Sequence, residues 1–284
     1  MRIRAPILLL LIAISTSAFG EDPKTIEKRL SDKLANGLLV LRTSRVGTTL
    51  RFDANGATKS NEGIRGFDDK VEMKTVQLRG NKLILKGVRL HDIYDPKTKK
   101  VTLASVNDPI EIDVQLSNPN DETSIAADYH KVFLSNAEIA KHSCSDVDYL
   151  ARAFERAAKD TNILDVRDSK PRSSESREVC LPSGSTAWLL GDAADVVLPR
   201  PTKDPDPDYP DLERVARKPG QAQFMIRVDE SGRITDGVLL RTDSLGFVLK
   251  STQTFHKWRF SPGKKDGVAV PSVLTVEMNF HMMH

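Results

Sequence analysis

The sequence predicts an α+β protein. A β-rich antiparallel domain with added helices comes first, and a small ββαβ domain follows, its single helix packed on an antiparallel sheet. Three observations carry this reading. Residues 38–116 give one strand pattern after another with turn residues between them. Residues near 135–160 change to helical spacing. Beyond a proline-rich stretch, residues 211–284 give strand, strand, helix, strand.

Residues 1–20 have the form of a secretory signal peptide. Arg2 and Arg4 supply the positive start, Pro6 to Ile14 the apolar centre, and Ala18-Phe19-Gly20 the small-x-small pattern before Glu21. That apolar centre is about half of the roughly 20 residues a membrane-spanning helix requires. The leader is therefore expected to be cleaved and the chain to be periplasmic, with no transmembrane anchor; an uncut leader holding it to the inner membrane is the alternative. The formal net charge is +3, and loss of Arg2 and Arg4 leaves it close to balance. Nothing here makes the clustered basic footprint of a nucleic-acid binder.

Residues 23–36 suit a helix, with Ile26, Leu30 and Leu34 on one face and Gly37 ending it. Strand patterns follow at Leu38–Leu41, Thr49–Phe52, Val71–Leu78, Leu83–Leu85, Val88–Tyr94 and Ile110–Leu116. Asp53-Ala54-Asn55-Gly56 reads as a hairpin turn, and Gly80-Asn81 as a second turn. The expectation is an antiparallel sandwich or partly open barrel over residues 21–198. Ser135 with Glu138 forms a capping box, and Ser145 with Asp148 a weaker one. Val147, Leu150, Ala151, Phe154, Ala157 and Ala158 then make one apolar helix face, expected to pack on the first domain's sheet.

Cys144 and Cys180 are the two cysteines of an exported chain and are expected to pair as a disulfide. The rival is a reactive Cys144 beside His142 and Asp146. Residues at i and i+2 do not face each other on a helix, which counts against it. Pro199 to Pro210 holds five prolines in twelve residues and is expected to be an extended, semi-rigid linker.

In residues 211–284, Phe224, Ile226 and Val228 share one strand face. Phe247, Ser251, Phe255 and Trp258 form one helix stripe. In the last strand, Leu274, Val276, Met278 and Phe280 face one way, and Val273, Thr275, Glu277 and Asn279 the other. The pattern predicts a sheet with one buried and one wetter face, covered by one helix. No phosphate loop, nucleophile elbow, zinc spacing or paired carboxylate site occurs, so no enzyme activity, metal site or cofactor is expected.

This order of features resembles the C-terminal domain of the TonB energy-transducer family. The matching residues are Tyr209-Pro210, Gly220, Val228, Gly232, the box Trp258-Arg259-Phe260-Ser261-Pro262-Gly263, and Gly267 before the final strand. The resemblance implies a periplasmic module that takes an extended peptide, such as the N-terminus of an outer-membrane transporter, onto a sheet edge. Tyr209 and Pro210 match the family's opening motif. Val273, Thr275, Glu277 and Asn279 lie on the stretch matching the strand that accepts the partner. Tyr209 and Trp258 read equally as core anchors, and Arg259 as the partner of a local carboxylate. Two departures stand out. Residues 1–20 hold no intramembrane His, and the proline-rich stretch reaches only roughly 40 Å. A structural or assembly protein that uses the module for docking or for a homodimer is the alternative function.

Overall fold

The computed structural model describes residues 22–43, 45, 47–58, 69–141, 148–159, 176–191 and 195–282. The leader, Ser145, the Cys144 neighbourhood and the polar stretch 167–175 lie outside the described residues. The chain divides into two compact units. The first takes residues 22–58, 69–90 and 107–141, and the second takes 91–106 and 148–282.

In the first unit, α1 (Pro23–Leu34) starts at Asp22, whose carboxylate accepts from the Lys24 amide at 3.4 Å. Ile26, Leu30 and Leu34 are its buried residues. The left-handed residue that ends the turn is Asn36 (φ 58°), one residue before the predicted glycine. Five strands follow: β1 (Leu38–Val40), β2 (Thr49–Phe52), β3 (Lys70–Arg79), β4 (Lys82–Asp95) and β5 (Lys100–Gln115), of which β4 beyond residue 90 and β5 before residue 107 belong to the second unit. Their order is β1-β3-β4-β5-β2.

The expected antiparallel pairing fails at β2, which runs parallel to β5 from Thr49↔Glu111 to Phe52↔Val114. The Asp53–Gly56 turn forms, but it closes on itself. The Asp53 carboxylate accepts from the Asn55 and Ala57 amides at 2.8 and 2.9 Å. A carboxylate holding two amides of its own turn stabilises the turn without requiring a long returning strand.

α2 (Glu122–Val132) is capped by Asp121, which accepts from the Thr123 and Ser124 amides, both at 3.1 Å. α3 (Asn136–Lys141) opens on the expected capping box: the Ser135 amide donates to Glu138 at 2.8 Å, and the Glu138 amide to the Ser135 hydroxyl at 3.3 Å. The core of this unit joins α1, α2 and one sheet face through residues such as Ile26, Leu83, Ile112 and Phe133.

The second unit holds α4 (Asp148–Lys159), β6 (Arg177–Cys180), β7 (Thr186–Leu189), β8 (Val196–Val197), β9 (Arg200–Lys203), α5 (Asp211–Val215), β10 (Gly220–Val228), β11 (Ile234–Thr242), α6 (Leu245–Phe255), β12 (Arg259–Ser261), β13 (Gly263–Lys265), β14 (Val268–Val270) and β15 (Ser272–Phe280). Its centre is the antiparallel sheet β11-β10-β15. One face packs Phe224, Ile226, Val276 and Phe280 against Phe247 and Phe255 of α6.

The other face is also buried, which corrects the expectation of a wetter face under a single helix. Met225, Val238, Leu240 and Val273 pack there with Tyr149 and Leu150 of α4 and with Val179 and Ala187 of β6 and β7. The cause lies in β10 and β11, which are apolar on both faces and so require a second cover. α4 therefore packs on this sheet, and not on the first unit's sheet as expected. It uses Tyr149, Leu150 and Ala153.

The proline-rich stretch sits inside the second unit. β9 pairs antiparallel with β12, Arg200 opposite Ser261, and the Trp258 indole donates to the Pro205 carbonyl at 3.0 Å. Gly232 takes φ 77°, and a Cβ there would stand 1.9 Å from the Phe260 carbonyl oxygen. Only glycine fits both demands. Among the described residues, no helix is long and apolar enough to cross a membrane.

Candidate docking edge

β15 has two edges, and the chain treats them differently. Toward β10 it is paired along its whole length, from Ser272↔Val228 to Phe280↔Gly220. On the other side β7 meets it in one parallel bridge, Ser272↔Trp188, where the Trp188 amide donates to the Pro271 carbonyl at 2.8 Å. Backbone polar groups alternate sides along a strand. The outward Pro271 carbonyl therefore places the N–H and C=O groups of Thr275, Glu277 and Asn279 on the outer edge too. Asn279 agrees independently: its partner Gln221 turns its own carbonyl toward the Asp243 amide at 3.1 Å, away from β15. Among the described residues, no strand pairs with the outer edge from Thr275 to Asn279.

The β6–β7 hairpin that closes the start of this edge is fixed by polar contacts. The Ser183 hydroxyl donates to the Asp236 carboxylate, as does Ser185 at 2.7 Å. Arg227 donates to the Thr186 carbonyl at 2.9 Å and to the Thr235 hydroxyl at 2.6 Å. Tyr149 donates to the Cys180 carbonyl at 3.1 Å, and Lys265 lies 5.2 Å from the centre of the Trp188 ring.

The side chains anticipated from sequence do not converge on one spot. Thr275, Glu277 and Asn279 line the open edge, with Asn279 exposed. Val273 is buried at 5% exposure in the core beneath α4. Tyr209 lies on the opposite face of the sheet. Its ring meets Phe247 and Phe280 edge-on at 6.1 and 5.9 Å, and its hydroxyl donates to the Lys218 carbonyl at 2.6 Å. Pro210 is buried and starts α5, accepting from the Arg214 amide at 2.9 Å.

Trp258, 5% exposed, is a core anchor. Arg259 donates to the His256 and Trp258 carbonyls at 2.8 and 2.5 Å, where a carboxylate partner was expected. Backbone oxygens at the end of α6 lack intrahelical donors and supply the anionic surface instead. Cys144 lies outside the described residues. Cys180 ends β6, and among the described residues there is no free cysteine.

The residues that sequence reasoning missed are Gln221 and Gln223. They sit beside Asn279 and Glu277 across the β10–β15 pair. Gln223 is 1% exposed, and its amide nitrogen donates to the Glu277 carboxylate. Asn279 donates to the other Glu277 oxygen at 2.9 Å, and the Gln221 amide, turned over, reaches both oxygens at 3.2 Å. A strand alternation showed these side chains sharing a face, but only the register identifies them as one row.

Residues 205–282 match the family model for the C-terminal region of the Gram-negative bacterial TonB protein. Among solved structures, the chain is similar to the solution structure of the Pseudomonas aeruginosa TonB C-terminal domain, at 23% identity. The match covers 33% of this chain and 92% of that one, with a TM-score of 0.27. No curated protein matches the sequence. Residues 205–282 therefore belong to the TonB C-terminal domain family.

Proposed function

We propose that this is an exported, periplasmic, non-enzymatic protein that captures an extended peptide along the outer edge of β15. The partner strand pairs with the backbone of Thr275, Glu277 and Asn279, while Tyr209 and Pro210 brace the end of the strand from the opposite face. One observation carries the reading: β15 is bonded to β10 from end to end, while among the described residues its other edge has a strand neighbour only at Ser272. Three outward N–H and three outward C=O groups spaced over about 17 Å suit a five-residue strand. The family match to residues 205–282 supports an envelope partner, and an outer-membrane transporter's N-terminal segment has the required extended chemistry.

The leader at 1–20 supplies export, and a Cys144–Cys180 disulfide fits the oxidising compartment this implies. The test is a titration of the isotope-labelled full chain with peptides from transporter N-termini. Amide shifts along 275–279 are expected, and their absence would remove the reading.

The second reading is assembly through the same edge, since an open edge also pairs with another copy of itself. It requires a concentration-dependent dimer. A strict monomer by light scattering at high concentration would eliminate it.

A further inference from the structure

The row of side chains nearest the open edge carries an unsatisfied chemical demand. Reading inward from that edge, it runs Glu277, Gln223, Arg241 across β15, β10 and β11. The Glu277 carboxylate is half-buried and receives hydrogen bonds from Gln223, Asn279 and the turned-over Gln221 amide. All three donors are neutral amides. Among the described residues, neither Lys nor Arg forms an ion pair with Glu277. Arg241 stands two strands away, exposed at the far end of the row. Gln223 adds a second acceptor: its side-chain oxygen is buried and has no hydrogen-bond partner among the described residues. Among the described residues, a buried acceptor without a donor and a half-buried carboxylate without a cation stand in one row, the carboxylate on the edge strand and the acceptor one strand further in.

We infer that the strand accepted by β15 carries a basic side chain, with arginine favoured over lysine, directly opposite Glu277. This rests on the edge-pairing reading above and names the partner's chemistry. An added strand lies about 4.8 Å from β15, and residues directly opposite share a face with Cβ atoms roughly 5 Å apart. A long cationic side chain laid along that row meets the carboxylate first and then extends toward the Gln223 oxygen, one strand further in. A guanidinium has several donors in a fixed fork and serves two acceptors at once, which a single ammonium does less well. The neighbouring edge positions, Thr275 and Asn279, are uncharged, so the demand is for one basic residue and not a basic tract.

The test uses three nine-residue peptides of alternating threonine and valine, capped at both ends, that differ only at the central position: arginine, alanine or glutamate. Each is titrated into the labelled full-length chain while the amides of 275–279 are followed. Such peptides slide by two residues, so the arginine finds its own register. The arginine peptide is expected to bind about fivefold tighter than the alanine peptide, and the glutamate peptide about fivefold weaker. Glu277→Gln is expected to bring the three within about twofold of one another, and Glu277→Lys to reverse their order. Edge shifts with all three peptides at equal strength would overturn this inference and leave the edge reading standing. So would discrimination that survives Glu277→Gln. Absence of edge shifts with every peptide would overturn both.

Discussion

Gly232→Ala tests whether the turn between β10 and β11 is held by contact or only by backbone conformation. Gly232 and Gly267 have the same φ, 77°, and both lie in the second unit. A Cβ on Gly267 would meet nothing within 4 Å, whereas on Gly232 it would stand 1.9 Å from the Phe260 carbonyl oxygen. The left-handed conformation costs a non-glycine residue about 1–2 kcal/mol in either place. At Gly232 the overlap must also push β12 away, with strain of about 1–3 kcal/mol. The hydrogen bond from the Phe260 amide to the Gly232 carbonyl, 2.9 Å, is then lost at a cost of about 1 kcal/mol. Gly232→Ala is therefore expected to destabilise the unit by about 3–6 kcal/mol and Gly267→Ala by about 1–2 kcal/mol.

The protein's two tryptophans, Trp188 and Trp258, both lie in this unit, so urea unfolding followed by tryptophan emission reports it selectively. With a urea slope of about 2 kcal/mol per molar, the midpoints should fall by about 1.5–3 M and 0.5–1 M. Equal shifts for the two variants would refute the contact argument.

Three further outcomes are expected. Arg42 donates to Glu138 through two guanidinium nitrogens, at 2.7 and 2.8 Å, and that hydrogen bonding with Ser135 holds the Glu138 pKa at about 2, below its ordinary 4.5. A depressed carboxylate pKa contributes stability above pH 4.5 that is lost as pH falls toward 2, and Arg42→Ala should move the midpoint, read by carboxyl NMR, back toward 4.5. Asp236→Ala removes the acceptor of the Ser183 and Ser185 hydroxyls. It should cost about 2 kcal/mol and speed amide exchange in the β6–β7 hairpin, as read by hydrogen–deuterium exchange. If Cys144 and Cys180 pair, alkylation before reduction should label neither, and reduction should cost about 3–4 kcal/mol in thermal unfolding.

Local chemistry made much of this fold legible. The four-residue spacing of Ile26, Leu30 and Leu34 marks α1, and the Ser135–Glu138 pair marks the start of α3, because each signal lies within one or two helical turns. What was not legible depends on distant partners. β2 has strand residues and a hairpin turn, yet pairs in parallel with β5, about sixty residues on. β5 itself begins at Lys100, ten residues before its first clear alternation, since Asn107, Asp108 and Pro109 mask the pattern. The stretch Pro199–Pro210 has the composition of a spacer. It docks because Trp258 needs an acceptor for its indole and β12 needs a neighbour, neither of which is visible in the prolines.

The docking edge shows the same division more sharply. Alternation alone places Thr275, Glu277 and Asn279 on one face of β15, and that much could be read from the chain. Which edge stays open depends on Trp188, eighty-odd residues earlier, whose amide takes the Pro271 carbonyl and then leaves the strand. Had β7 continued in register past Ser272, it would have consumed the outward groups at Thr275 and beyond. The hairpin instead ends at Leu189, with the Asp236 and Arg227 contacts holding it at the first residue of β15. An edge that is closed at its start and open thereafter fixes where an added strand must begin. It also shortens the apolar border available for unspecific pairing, since Val273 is already buried. The polar row at Glu277 and Gln223 then follows as the part of the edge that can discriminate between strands, because backbone pairing at Thr275 and Asn279 accepts any sequence.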